Sequence, residues 1–222
     1  MRSDLSAVTY RLGASIYVAL TNQCNAVSLI KSRGPSFVMP SSSGFAPLPQ
    51  SFEPSADQVV EAVRAALRST QAGTESIVFA GAGEPLLRTR VLEESAVKLR
   101  EALADDLPRL RLNTNGLVPT SEATEVAWRL SSKAHLSSVS VSIASADATQ
   151  YDALMKPETI RYSPGFSLSL GHEEVCSFVK ACVSEGLEVE CTAVAAPDVD
   201  IAAARQLAEC LGASFRERSY HA

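Results

Sequence analysis

Four short polar segments of the sequence carry the residue types best suited to holding a small ligand. These segments are residues 21–25, 81–85, 113–116 and 142–147. In the second segment, Gly81 and Gly83 let backbone carbonyls approach a ligand closely, and Glu84 or one of those carbonyls suits a ligand ammonium as a hydrogen-bond acceptor. The side-chain amides of Asn113 and Asn115 can donate to and accept from the hydroxyl or carboxylate groups of a ligand. The chemistry indicated is small-molecule binding.

The same segments also have purely structural interpretations. Glycine and proline around Glu84 are typical of a tight strand-to-helix turn that carries a solvated glutamate. Asn115 and Gly116 form a dipeptide that commonly serves as a turn with positive φ. Both interpretations remain open at the level of sequence.

Two arginines near the end of the chain form a second candidate site. Arg216 and Arg218 alternate on one face of the last predicted strand. If that face points inward, two guanidiniums suit a carboxylate or phosphate substrate. If the strand is an edge, the same charges discourage edge-to-edge pairing.

Short β-like runs alternate with helical ones along the chain, which is typical of βα units and a parallel sheet. The predicted strands are 15–20, 76–80, 109–114, 138–143, 188–194 and 214–218. A first helix shows one-face apolar spacing from Val59 to Leu67, after a capping box formed by Ser55 and Gln58. The other predicted helices are 91–103, 122–132, 148–154, 173–184 and 201–211.

The strands alternate between apolar and polar side chains. In 138–143, valine and isoleucine alternate with serine, and 109–114 and 188–194 alternate in the same way. Since successive side chains of a strand point to opposite faces, each strand has one apolar and one polar face, whereas a doubly wound sheet favours continuous apolar runs. We therefore predict an α/β fold, a partial TIM-type (βα)6 barrel with a polar interior. The alternative is an α+β sandwich with one wet face.

Residues 32–55 form a stretch rich in serine, proline and glycine. Such a density of breakers excludes a helix or a central strand and predicts a long loop. Loops of this length are usually functional lids or partly disordered segments. Because no repeat or boundary interrupts the rest, residues 1–222 are predicted to form one domain.

The composition limits the class of partner. A net charge of −5 without a clustered basic face argues against nucleic acid and anionic membrane surfaces. The five cysteines lack the paired spacing of a disulfide framework, which indicates a reducing compartment. No apolar run approaches the ~18 residues of a membrane span. We expect a cytoplasmic protein with a small-molecule ligand; an organelle is the open alternative.

The order of the strands and of these segments resembles the radical S-adenosylmethionine (SAM) superfamily. The resemblance covers residues 16–143 and comprises Leu-Thr-Asn-x-Cys-Asn, Gly-x-Gly-Glu-Pro-Leu, Asn-Thr-Asn-Gly and a serine-rich segment after consecutive strands. The subgroup we suggest is the one associated with TatD-type nucleases. The resemblance implies a SAM site that includes Gly81, Gly83, Glu84, Asn113 and Asn115.

The resemblance also gives Ser140 and Ser142 a role, as contacts to the methionine part of SAM. The alternative is that both serines belong to a wet or water-filled sheet face.

The resemblance further implies a 4Fe–4S cluster held by a Cys-x3-Cys-x2-Cys motif after the first strand. Cys24 matches the first position, but Ser28 and Lys31 occupy the second and third. Cluster irons require thiolates, a serine alkoxide is a poor substitute, and a lysine ammonium has no lone pair. The sequence departs from the family at the cluster itself.

Three hypotheses follow for the function. The first is a degenerate barrel that keeps a SAM-type cavity but builds no usual cluster and performs no radical chemistry. The second is an active radical SAM enzyme whose cluster has Cys24 and atypical ligands. The third is a non-catalytic scaffold or regulatory subunit that meets a protein partner through residues 32–55.

Overall fold

Nine strands and six α-helices are present in the part of the chain that the structure describes. The computed structural model describes residues 4–69, 73–163 and 166–222, with the backbone alone for residues 159–168. The strands are β1 (Thr9–Leu12), β2 (Ser15–Val18), β3 (Ser76–Phe79), β4 (Arg109–Thr114), β5 (Ser138–Ser142), β6 (Thr159–Ser163), β7 (Phe166–Ser169), β8 (Glu188–Val194) and β9 (Ser214–Arg218). All six predicted strands are present, within two residues of their predicted ends.

The helices follow the strands in the order expected of βα units. They are α1 (Ala56–Arg68), α2 (Thr89–Leu103), α3 (Ala123–Trp128), α4 (Ala148–Met155), α5 (His172–Ser184) and α6 (Ile201–Cys210). The predicted capping box is confirmed: the Ser55 hydroxyl accepts from the Gln58 backbone N–H at 3.3 Å, and the Gln58 side chain accepts from the Ser55 N–H at 2.9 Å. A π-helical turn, Arg129–Lys133, continues α3.

The main sheet is an unclosed, mostly parallel barrel wall. Its strand order is β1-β2-β3-β4-β5-β8-β9, and every neighbouring pair is parallel except β1 with β2. Among the described residues, β1 and β9 lie at opposite ends of this order and do not pair with each other. The predicted partial barrel is confirmed.

The two faces of the sheet divide as the alternation predicted. Leu112 lies opposite Val139 and then Val189 in the register, and all three belong to the apolar core covered by the helices. One position along, Asn113 lies opposite Ser140, which lies opposite Glu190, so the inner face carries the polar side chains. Burial of the outer face supplies most of the driving force for folding.

The predicted long loop connects β2 to α1 and contains two three-residue 3-10 helices, Lys31–Arg33 and Ser41–Ser43. Such turns need only local hydrogen bonds, so they can form in a segment rich in proline and glycine. Residues 219–222, after β9, lie across the start of this loop. The His221 N–H donates to the Arg33 carbonyl at 2.8 Å, and the Ser36 N–H donates to the His221 carbonyl at 3.3 Å. The loop is therefore held against the β9 side of the barrel.

Two features of the fold lie outside the predicted elements. β1 packs antiparallel on β2, and β6 with β7 forms a separate antiparallel hairpin.

No helix in the described part of the chain combines the length and apolarity needed to cross a lipid bilayer.

Removing a buried side chain from α2 should be far more costly than removing an exposed one from the same helix. Leu92 is fully buried, whereas Val97 is 41% exposed. We expect Leu92→Ala to lower the free energy of unfolding by about 2–5 kcal/mol, because it leaves a cavity between α2 and the sheet. Val97→Ala should cost less than about 0.5 kcal/mol. Urea denaturation of both variants tests this; equal losses would contradict the assigned faces.

Candidate functional site

The loops that follow β2, β3 and β4 meet at the carboxyl end of the sheet. The Glu84 backbone N–H donates to the Gln23 carbonyl at 2.8 Å, which joins the loop after β3 to the loop after β2. Ligands of βα barrels bind at this end of the strands. The structure thus gathers three of the four polar segments that the sequence singled out.

The Glu84 side chain is buried among these loops. Its Oε1 accepts from the Thr114 hydroxyl at 2.7 Å and from the Leu86 N–H at 3.0 Å, and its Oε2 accepts from the Asn115 N–H at 2.8 Å. Burial raises the pKa of Glu84, and the three hydrogen bonds oppose that rise. Because both oxygens are engaged by the protein, the acceptors left for a ligand ammonium at this turn are backbone carbonyls.

The two glycines beside Glu84 allow the turn to pack against the end of β2. A Cβ at Gly83 would lie 2.3 Å from the Gln23 carbonyl oxygen, and one at Gly81 would lie 2.8 Å from the Ala19 Cβ. Such distances are shorter than any real contact, so side chains at these positions would push the turn away from the loop after β2. The close approach that requires glycine is to the protein's own backbone.

Asn115 organises the loop after β4. Its amide donates to the Asn25 side-chain oxygen at 2.8 Å and to Cys24 Sγ at 3.8 Å, and its own oxygen accepts from the Leu117 N–H at 2.9 Å. Because Asn115 is buried, it can influence a ligand only by positioning these neighbours.

Cys24 is a half-buried thiol at the edge of this network. Burial raises its pKa, against the opposing effect of the Ala26 backbone N–H, so the protonated thiol is favoured. Ser28 is buried, and its hydroxyl accepts from the Lys31 N–H at 3.4 Å. Lys31 is exposed. Across the described residues, no group of three or more His, Cys, Asp or Glu side chains lies close enough together to hold a metal ion.

A cavity of about 660 Å³ adjoins Cys24. Its lining comprises Asn22, Cys24, Ala26, Val27, Ser28, Ile30, Lys31, Phe45, Pro47, Ala82, Lys156 and Glu158. The segment after α4 is fixed to the Cys24 loop, since the Val27 N–H donates to the Met155 carbonyl at 2.7 Å and the Glu158 N–H donates to the Asn25 carbonyl at 2.8 Å.

A second cavity, of about 100 Å³, lies on the other side of the glycine turn. It brings together four of the predicted site residues: Gly81, Gly83 and Asn113 of the predicted SAM site, and Arg218 of the predicted substrate site. Ala82, between the two glycines, lines the larger cavity instead. The turn therefore forms a partition between the two spaces.

The remaining predicted residues lie on the inner face of the sheet. The Ser140 hydroxyl donates to Glu190 Oε1 at 3.1 Å, and Arg216 holds both oxygens of the same carboxylate at 2.6–2.9 Å. Although burial alone would raise it, Arg216 and Ser140 bring the pKa of Glu190 below its usual value. Ser142 is buried two register positions beyond Ser140, opposite Thr192.

Sequence reasoning missed several residues of this region. Glu190 lies on the polar face of β8, so the alternation pattern could have identified it. Arg33 could not have been found in this way, because it comes from the irregular loop and reaches the barrel only through tertiary contacts. Thr114 was missed because it lies on the same face of β4 as the apolar residues, where its hydroxyl donates to Glu84.

Solved structures with a similar chain path fix the fold class. SuiB from Streptococcus suis bound to its precursor peptide SuiA superimposes with a TM-score of 0.62 at 13% sequence identity, over 92% of this chain and 39% of SuiB. A radical SAM methyltransferase from Sphaerobacter thermophilus superimposes with a TM-score of 0.55 at 15% identity, over 95% of this chain and 68% of that enzyme. The chain has the fold of the radical SAM enzymes. The resemblance seen in the sequence is confirmed at that level.

SuiB has also been solved with SAM bound, and that structure superimposes with a TM-score of 0.58 at 14% identity, over 92% of this chain and 38% of SuiB. The chain thus spans about two fifths of the length of SuiB. Neither a protein-family model nor a curated protein sequence matches it. At these identities the radical SAM fold is what the chain shares with these enzymes.

Replacing Glu84 by glutamine should loosen the junction of the three loops. We expect Glu84→Gln to lower the free energy of unfolding by about 1–3 kcal/mol, because the amide presents donors where the carboxyl group accepts three hydrogen bonds. Glu61→Gln, at an exposed position of α1, is the matched control and should change stability by less than about 0.5 kcal/mol. Chemical denaturation measures both. Similar values for the two variants would show that the junction does not depend on this carboxyl group.

Proposed function

We propose that this chain binds SAM, or a nucleoside of the same kind, in the larger cavity beside Cys24, and that it does so without assembling a 4Fe–4S cluster on the Cys24 loop. The observation that carries the proposal is the cavity of about 660 Å³ at the carboxyl end of a radical SAM fold. Cavities that hold cofactors of this size are usually about 300–1,000 Å³.

The chemistry of the cavity wall supports a ligand with the functional groups of SAM. Glu158 supplies a carboxylate for the ammonium or sulfonium, and Lys31 and Lys156 supply ammonium groups for the carboxylate. Phe45 and Val27 offer apolar surface for a base.

The residues at the cluster positions do not fit an iron–sulfur cluster. Three thiolates hold such clusters, whereas Ser28 and Lys31 supply none and leave Cys24 as the single thiol among the three positions. In radical SAM enzymes the electron that cleaves SAM comes from the cluster. We therefore propose that this chain binds SAM but does not cleave it reductively.

An anaerobic reconstitution with iron and sulfide tests the cluster part of the proposal. We expect substoichiometric iron and no charge-transfer absorbance, and the same result for Cys24→Ser. Stoichiometric iron that is lost in Cys24→Ser would overturn this part and favour an active enzyme with atypical ligands.

Calorimetric titration with SAM tests the binding part. We expect one SAM per chain, and an affinity about tenfold weaker for Glu158→Lys, equivalent to about 1.4 kcal/mol, because the substitution brings a positive charge to the cationic part of the ligand. Glu61→Lys, which makes the same change of charge on α1, should bind SAM normally. Absence of SAM binding by the unaltered protein would contradict the proposal and favour a scaffold that uses residues 32–55.

A further inference from the structure

The smaller cavity has the polar lining of an anion site. It is bounded by the end of β9, the start of the long loop and the glycine turn. Its lining comprises Tyr10, Leu12, Tyr17, Leu29, Ile30, Arg33, Phe37, Met39, Ala80, Gly81, Gly83, Asn113 and Arg218. Two guanidiniums, two phenols and one amide therefore line a space of about 100 Å³.

Positive charge exceeds negative charge at this end of the barrel. Glu190 is the carboxylate near the guanidiniums, and Arg216 occupies both of its oxygens. Within the described residues, the Arg218 side chain makes no salt bridge or hydrogen bond, and Glu190 attracts it only from beyond contact distance. Arg33 donates to the Ser219 carbonyl at 2.9 Å and lies over the Phe37 ring, but no carboxylate of the described chain pairs with it. The chain as a whole has a net charge of −5, so the excess of positive charge at this end of the barrel is local.

The surroundings make the Arg218 guanidinium costly to keep without a counter-ion. Burial, followed by the charges of Arg216 and Arg33, lowers the pKa of Arg218 to about 10. The group is still protonated at neutral pH. A partly desolvated cation among other cations gains from an anion within contact distance more than a solvated surface arginine does.

Neutral donors complete the lining. Tyr10 and Tyr17 stack with ring centroids 5.1 Å apart at the β1–β2 edge. In the described part of the chain, neither phenol hydroxyl nor the Asn113 side chain has a hydrogen-bond partner. Burial raises the pKa of Tyr10, so its hydroxyl remains a donor. Because these groups are free of protein partners, they can donate to the acceptor atoms of a bound ligand.

The size and the apolar part of the lining select the class of anion. A space of about 100 Å³ is too small for a nucleoside but has room for a carboxylate and a few carbons. Leu12, Phe37 and Met39 contribute apolar surface, which disfavours a phosphate dianion because its desolvation costs more than that of a monoanion.

We infer that this cavity is a second ligand site, which binds the carboxylate of a small, partly apolar organic acid through Arg218, with Arg33, Asn113 and the two tyrosines around it. The site lies across the glycine turn from the proposed SAM cavity. It does not depend on SAM binding or on a cluster, so its failure and the failure of the proposed function are separate results.

Titration of the protein with butyrate, monitored by amide chemical shifts, tests the inference without any cofactor. We expect butyrate to shift resonances of β9 and of the glycine turn, and butyramide, its neutral counterpart, to leave them unchanged. Arg218→Gln should weaken butyrate binding at least about tenfold, because it removes the unpaired cation. Arg64→Gln, on the exposed face of α1, is the control and should bind butyrate like the unaltered protein.

Further variants and competitors keep the result decisive if Arg218→Gln does not fold. Tyr17→Phe removes one hydroxyl and should weaken butyrate binding about threefold to tenfold, with the thermal midpoint unchanged. Equal binding of butyrate and butyramide would overturn the site. Tighter binding of inorganic phosphate than of butyrate would overturn the assignment to a carboxylate. If SAM displaced butyrate, the smaller cavity would not be a ligand site separate from the SAM site.

Discussion

The buried carboxyl group of Glu84 is the interaction on which the candidate site depends. It accepts hydrogen bonds from the loop after β4 and from the Leu86 N–H in the 3-10 turn that follows it, while its backbone N–H reaches the loop after β2. Parallel strands place their loops side by side but supply no hydrogen bonds between those loops. A buried carboxyl group that accepts from three donors meets that need, and its burial makes the loss of any donor expensive.

The glycine turn beside Glu84 determines how the site is divided. Because Gly83 contacts the backbone of the loop after β2, the turn lies flat against that loop, and the space at the barrel mouth is separated into two cavities. Cys24 and charged side chains border the larger one, and two arginines and two tyrosines border the smaller. The residues after β9 hold the segment around Arg33, which borders the smaller cavity, in place. The arrangement separates a nucleoside-sized space from an anion-sized space.

The sequence predicted the fold well because its signal is local. Alternation within β4, β5 and β8 is a property of adjacent residues, and the six strands and their apolar faces followed from it. β1 was missed because four residues ending in a tight turn carry too short a pattern, and the hairpin of β6 and β7 lies among breakers that predict only irregular chain. Of the site residues, Gly81, Gly83 and Asn113 meet at one cavity, whereas Glu84 and Asn115 turn inward to hold the loops that form it.

By itself, the sequence determined the alternating strands, the order of the polar segments, and the presence of serine and lysine where the family places cluster cysteines, because these depend only on residue type and spacing. Only the tertiary structure decided which polar groups satisfy one another. The register of β8 and β9 places Arg216 opposite Thr192, from where it binds Glu190 two residues earlier in β8, whereas Arg218 makes no salt bridge with any carboxylate of the described residues. Such pairing depends on which strands are neighbours and on how a distant loop covers them, and neither is encoded within a short stretch of chain.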